Sequence, residues 1–142
     1  MVEDFAKSHP GGALGKKLFL TLADIVQSNN KPFVDIQSDL SFVIDEITKK
    51  RQGAAVVLHQ NTIVGIITDG DIRRMLSNRD TFADLTARDI MTQHPKHISS
   101  NLLVSEALNV LENNAITQLV VIDNQEYKGI LHLHDILKEG TV

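Results

Sequence analysis

Twice in this chain a glycine leads a short apolar run into a polar turn, an aspartate and the opening of a helix. The first copy is Gly65-Ile66-Ile67-Thr68-Asp69-Gly70-Asp71 and the second is Gly129-Ile130-Leu131-His132-Leu133-His134-Asp135. They lie 64 residues apart, and the same offset relates much of the rest. Leu40, Val43, Ile44 and Ile47 fall on Val104, Ala107, Leu108 and Leu111, each set spaced as one face of a helix. Ala55-Val56-Val57-Leu58 falls on Leu119-Val120-Val121-Ile122, short runs that read as buried strands. Polar pairs at Gln60-Asn61 and Asn124-Gln125 predict hairpin turns. A unit of about 60 residues is marginal alone, because it buries too little of its surface. Two similar units can bury their sheet faces against each other, and one pseudo-twofold unit is expected.

Each copy reads strand, helix, strand, strand, helix. The predicted spans are about 33–36, 40–51, 54–59, 63–68 and 70–77 in the first, and about 96–99, 103–113, 118–123, 127–132 and 134–138 in the second. Phe33-Val34-Asp35-Ile36 matches Lys96-His97-Ile98-Ser99 only after a small change of length. The stretch Leu85 to Met91 repeats Leu20 to Val26, which predicts a short lead-in helix before each copy. The expected fold class is α+β: two β-α-β-β-α repeats packed with pseudo-twofold symmetry and two related clefts at their seam. The expected organisation is a leading segment at 1–19, a first repeat at 20–78 and a second at 79–142.

Composition narrows the chemistry. The 142 residues include no cysteine, so disulfides and thiolate catalysis are excluded. A formal net charge of −4 argues against nucleic acid as a partner. No apolar run is long enough for a bilayer, and the opening residues do not carry a secretory leader pattern. A cytoplasmic location is expected.

The paired units resemble a tandem of cystathionine-β-synthase (CBS) domains, a Bateman module, from about Leu20 to the C-terminus. In that family the Thr and Asp of the glycine-led motif hold the ribose and phosphate of a nucleotide. Thr68 and Asp71 match this pattern, whereas the second copy keeps Asp135 and replaces the threonine with His132. The segment Asp4 to Leu18, DFAKSHPGGALGKKL, resembles the end of the sugar isomerase (SIS) domain of KpsF/GutQ-type D-arabinose-5-phosphate isomerases. The resemblance implies a parent that interconverts D-ribulose 5-phosphate and D-arabinose 5-phosphate for synthesis of Kdo. It also implies that His9 corresponds to an active-site histidine. An aldose–ketose isomerase needs a placed base, an acid and a phosphate grip. So short a SIS segment cannot supply them, and this stretch of chain is expected not to be an enzyme by itself.

Each candidate residue has a structural alternative. Thr68-x-x-Asp71 before a helix is also close to a capping box. Histidine is a poor cap, yet the aspartate persists as Asp135, which favours a ligand role. Arg73 or Arg74 is suited to clamp a phosphate, or else forms a solvated helix face. His132 and His134 sit two apart and, as strand neighbours, would face the second cleft together, with His94 and His97 nearby. Two histidines fall short of a metal site, so a polar or acidic ligand is the better reading and no metal is expected. Thr117 is a candidate rim contact. The charges at Lys49, Lys50 and Arg51 are accounted for by a helix C-terminus.

The expected function is sensing. No cofactor is required, and the effector is nucleotide-like, with CMP-Kdo suggested by the implied pathway. The expected partners are the chain's own SIS domain and a second CBS pair, as a homodimer within a tetrameric parent. The alternative is a ligand-free structural module that holds isomerase domains together.

Overall fold

The computed structural model describes residues 19–26, 30–78 and 82–138. His9 and the rest of the isomerase-like segment lie outside them. A one-turn helix α1 (Leu22–Ile25) precedes β1 (Phe33–Asp35), α2 (Leu40–Lys50), β2 (Ala54–His59), β3 (Thr62–Thr68) and α3 (Asp69–Asn78). The second repeat runs α4 (Ala87–Ile90), β4 (Thr92–Gln93), β5 (His97–Ile98), α5 (Val104–Asn113), β6 (Gln118–Asp123), β7 (Glu126–His132) and α6 (Leu133–Lys138). The β1-β2-β3-β4 sheet and the β5-β6-β7 sheet both pair their first two strands parallel and the next two antiparallel. The α+β architecture and the repeated element order match the sequence expectation.

The hairpins follow from turn geometry. Gln60 and Asn61 have φ of 52° and 65°, and Asn124 and Gln125 have 51° and 66°. Two consecutive left-handed residues give the tight turn that matches strand twist. A register shift falls at Val57/Leu58 and again at Val121/Ile122, so even the bulge is duplicated. The ladders correct one alignment. Phe33 pairs Val56 and His97 pairs Val120, so Phe33 corresponds to His97, not Lys96. The offset of 64 therefore survives through β1 and β5. What hides it is that Phe33 is 49% exposed, so the solvent-facing position is free to be aromatic in one copy and histidine in the other. The length change lies further upstream, where Thr21 corresponds to Thr86. The polar strand β4, pairing Gly65–Ile66 of β3, carries no period-2 signal and was not expected.

Alternation gives β2 and β6 two apolar faces. Ala55 and Val57 join Val43 and Ile47 of α2 in one core, and Leu119 and Val121 join Ala107 and Leu111 of α5 in another. The opposite faces, with Ala54, Val56, Ile66, Val120 and Ile130, form a third cluster that is the seam between the halves. Tyr127 crosses this seam to donate its hydroxyl to the Pro32 carbonyl at 2.7 Å. Burial and the nearby Glu46 hold that phenol well above its ordinary titration range.

The lead-in helices are exchanged. Leu22 of α1 sits in the core of the second half, and the Leu22 and Ala23 amides donate to Leu102 and Ser100 carbonyls at 2.9 Å each. Ala87 and Ile90 of α4 sit in the core of the first half, where the Ala87 amide donates to Ser38 at 2.8 Å. Isolated bridges at Thr21–Leu103 and Asp39–Thr86 mark the two crossings. Leu22 has no exposed surface. Leu22→Ala is therefore expected to cost about 2–5 kcal/mol by denaturant titration. Hydrogen exchange should locate the loss in β6 and β7; loosening first in β2 and β3 would refute the exchange.

Candidate functional site

Each cleft lies where the start of a repeat's last helix meets a segment from the other half. The first, of about 310 Å³, is lined by Thr68, Asp71 and Arg74 from the first half. Thr92, His94, Lys96 and Gln118 face them. Asp71 is 7% exposed, and a buried carboxylate must be paired and hydrogen-bonded. Its Oδ2 accepts from the Thr68 amide at 2.9 Å and the Thr68 hydroxyl at 3.2 Å. Its Oδ1 accepts from the Thr92 hydroxyl at 3.1 Å and from the Arg74 guanidinium. The Thr68 Oγ1 in turn lies 3.2 Å from the Asp71 amide, which donates to it. Thr68 and Asp71 thus form a reciprocal cap that also floors the cleft. Arg74 neutralises the acid while its own side chain remains 69% exposed.

The second cleft, of about 380 Å³, is lined by Ile25, Asn30, Lys50, Arg51 and Gln52, facing His134, Asp135 and Lys138. Asp135 Oδ2 accepts from the His132 amide at 2.9 Å and from Gln52 Nε2 at 3.1 Å. Gln52 Nε2 also donates to the Ile130 carbonyl at 2.9 Å, which pins the two halves together. Between the clefts the halves approach closely at Gly53, whose φ is +70°. A Cβ there would lie 2.8 Å from Gln118 Nε2, so the position admits only glycine without a shift.

Several site expectations change. The persistence of Asp135 does not need a ligand. The acid caps a backbone amide, which histidine offers as well as threonine does. The same acid-to-amide bond recurs at Thr21/Asp24 and Thr86/Asp89. His132 and His134 do not face one cleft together: the first ends a strand and the second belongs to a helix, so the period of two does not carry across. Only His134 lines the second cleft, with ring centroids 6.3 Å apart and edge-on. His94 lines the first cleft, not the second, because β4 keeps that segment beside β3. Arg73 lines neither cleft; one residue along a helix turns a side chain by about 100°. Thr117 lies beside the first cleft, its hydroxyl turned to Gln118 Oε1 at 2.9 Å. Sequence reasoning missed Thr92 and Lys96 in one cleft and Asn30, Lys50, Arg51 and Gln52 in the other. Among the described residues no three histidine or acidic groups converge as metal ligands, and no helix is long and apolar enough to cross a membrane.

The profile of the CBS domain matches residues 22–78 and 87–141. Arabinose 5-phosphate isomerase KdsD of Escherichia coli (strain K12) is 39% identical over 142 residues, taking in 99% of this chain and 43% of that protein. KdsD of Pseudomonas aeruginosa is 39% identical over 143 residues, with 99% and 44% covered. The chain thus spans less than half the length of these relatives. Among solved structures, the CBS domain of a membrane protein from Sphaerobacter thermophilus superposes with a TM-score of 0.75 at 22% identity, covering 97% of each chain. CBSX2, solved in complex with AMP, gives 0.69 at 19% identity, covering 85% of this chain and 96% of that one.

His132 carries a pH consequence. Its Nδ1 accepts the His134 amide at 2.9 Å, so the neutral ring holds its proton on Nε2. Burial pushes its pKa below the ordinary imidazole range, against an opposing pull from Asp135. The unfolded chain therefore takes up this proton first as pH falls. The stability from neutral His132 is complete above pH 6.5 and is lost below it, toward the depressed folded value. Denaturant titrations from pH 7.5 to 5.5 should show a shallower loss for His132→Gln than for the parent chain. Superimposable losses would refute the assignment.

Proposed function

The chain belongs to the CBS-domain family as a tandem pair, and on that premise we propose that it is the ligand-sensing regulatory part of a cytoplasmic D-arabinose-5-phosphate isomerase. The observation that carries this reading is the first cleft. Its floor is a buried carboxylate flanked by a hydroxyl, the largely exposed Arg74 whose guanidinium pairs with it, and an ammonium at Lys96. A ribose donates two vicinal hydroxyl protons, which Asp71 Oδ1 accepts once Arg74 and Thr92 let go. Arg74, exposed along most of its length, then turns its fork onto a phosphate. The ligand thus replaces two of Asp71's internal hydrogen-bond partners with its own hydroxyls, while Arg74 passes from the carboxylate to the phosphate. Because Gln118 and Lys96 come from the other half, the ligand touches both halves and favours one arrangement of them. Coupling of this kind is typically about 1–3 kcal/mol.

The AMP complex of the structurally similar CBSX2 supports a nucleotide as the ligand class. Similarity to the KdsD isomerases supports the pathway, and the activated end product CMP-Kdo is the feedback effector it suggests. A second reading rests on Leu76 and Leu137, which are 49% and 44% exposed on the last helix of each repeat. Those faces suit a homodimer of pairs, and a purely structural module would need nothing more.

Calorimetric titration with AMP, ATP, CMP and CMP-Kdo separates the two. Sensing predicts saturable binding of at least one of them, weakened tenfold or more by Asp71→Asn at pH 7. Absence of heat from all four with folded protein would leave the structural module standing. Loss of melting temperature in Asp71→Asn with affinity intact would reduce Asp71 to a cap.

A further inference from the structure

We propose that a concavity behind β4, apart from both seam clefts, binds a small carboxylate with an apolar body, held by Arg88 and His59. The concavity measures about 530 Å³, a size that suits a small molecule. Strand alternation separates it from the first cleft: Thr92 of β4 lines that cleft, and Gln93 lines this concavity. Its floor is hydrocarbon, from Ile63 and Val64 of β3 and from Met91. Its rim carries Arg88 of α4, His59 at the end of β2 and His94, which also reaches the first cleft. None of the described residues that line it is acidic.

The pseudo-symmetric place in the second half is built differently. His59 pairs Thr62 and Asp123 pairs Glu126, so His59 and Asp123 correspond. The Arg88 amide donates to the Ile36 carbonyl at 3.0 Å, and the Ala23 amide donates to the Ser100 carbonyl at 2.9 Å, so Arg88 stands where Ala23 does. In the second half Asp123 is satisfied by its own neighbours. It accepts from the Ser99 hydroxyl and the Ser100 amide at 2.9 Å each, and from the Ser100 hydroxyl. In the first half a histidine replaces that acid, Ile36 replaces Ser100 and an arginine replaces the alanine. Among the described residues neither the Arg88 guanidinium nor the His59 ring pairs with an acid. One half thus closes this place internally, and the other leaves free donors around an apolar floor.

The donor set selects the ligand class. A guanidinium presents a planar fork that matches a carboxylate with two parallel hydrogen bonds. An imidazole adds a ring N–H donor from the same rim. One permanent cation balances a monoanion, whereas a polyanion calls for more fixed positive charge than Arg88 supplies. The floor adds a second requirement. Ile63, Val64 and Met91 are half-buried and offer a bare anion nothing, but an apolar body removes their remaining surface from water. A carboxylate joined to a ring or a short hydrocarbon chain meets both conditions.

Amide and methionine-methyl chemical shifts of the whole chain, titrated with benzoate, acetate and benzamide, provide the test. Benzoate should shift His59, Val64, Arg88 and the Met91 methyl saturably. Acetate, which lacks the body, and benzamide, which lacks the charge, should each bind about tenfold more weakly or worse. Arg88→Gln should weaken benzoate about tenfold, as loss of a charged hydrogen-bond donor does. His59→Asn should weaken it by a smaller factor. Both side chains are exposed, so the melting temperature should hold in each variant. Absence of saturation with benzoate, equal binding of acetate or benzamide, or unchanged affinity in both variants would overturn the site. Benzoate shifts confined to Thr68 and Asp71, or to Lys50 and Gln52, would overturn it too and leave the first-cleft reading intact.

Discussion

A strand with apolar residues on both of its faces cannot be left half covered. In β2 and β6 that condition is met twice over: alternate residues point toward a helix of the same half and toward the sheet of the other. The inner cluster, with Val56 and Val120 fully buried, belongs to neither half alone. Burying one such side chain is worth about 1.5–3 kcal/mol relative to exposure, and the sheet face offers several at once. Separation of the halves would expose all of them together. The exchange of α1 and α4 extends this dependence, since each outer core is completed by a helix that arrives from the other repeat.

The clefts are a by-product of that arrangement. When a lead-in segment crosses over, it runs beside the start of the opposite half's last helix. The cap of that helix, an acid accepting a backbone amide, is thereby brought against groups of foreign origin: Thr92 and Lys96 on one side, Ile25 and Asn30 on the other, where the end of α2 adds Lys50 and Gln52. Pseudo-symmetry supplies two cavities from one design, and divergence has made them chemically different. Asp71 is neutralised by an arginine, whereas Asp135 is held by an amide side chain. A molecule in either cleft contacts both halves, which is the geometric requirement for a ligand to report on their relative arrangement.

Residues differ in how openly they announce these roles. Leu119 and Val121, or Val43 and Ile47, are legible because a period of 2 or 3.6 survives in any sequence that must bury one face. The hairpin turns are legible because few residue pairs adopt two consecutive left-handed conformations. Thr92 was not legible: a polar residue in a two-residue strand has no pattern, and only the pairing of β4 with β3 brings its hydroxyl to Asp71. Lys50 and Arg51 had an adequate local explanation in the helix terminus, which concealed their place in a cleft built from another half. His132 and His134 misled because the strand period was carried past the point where the helix begins.

The duplication, the element order and the composition of each apolar face were determined by the order of amino acids, since they depend on contacts and dihedral preferences within a few residues. The cross-covering of the cores, the partners of Asp71 and Asp135 and the cation content of the second cleft were decided by tertiary structure. Each of these joins groups far apart along the chain, such as Gln52 and Asp135. Their meeting depends on how two sheets share a face, and no local regularity encodes it.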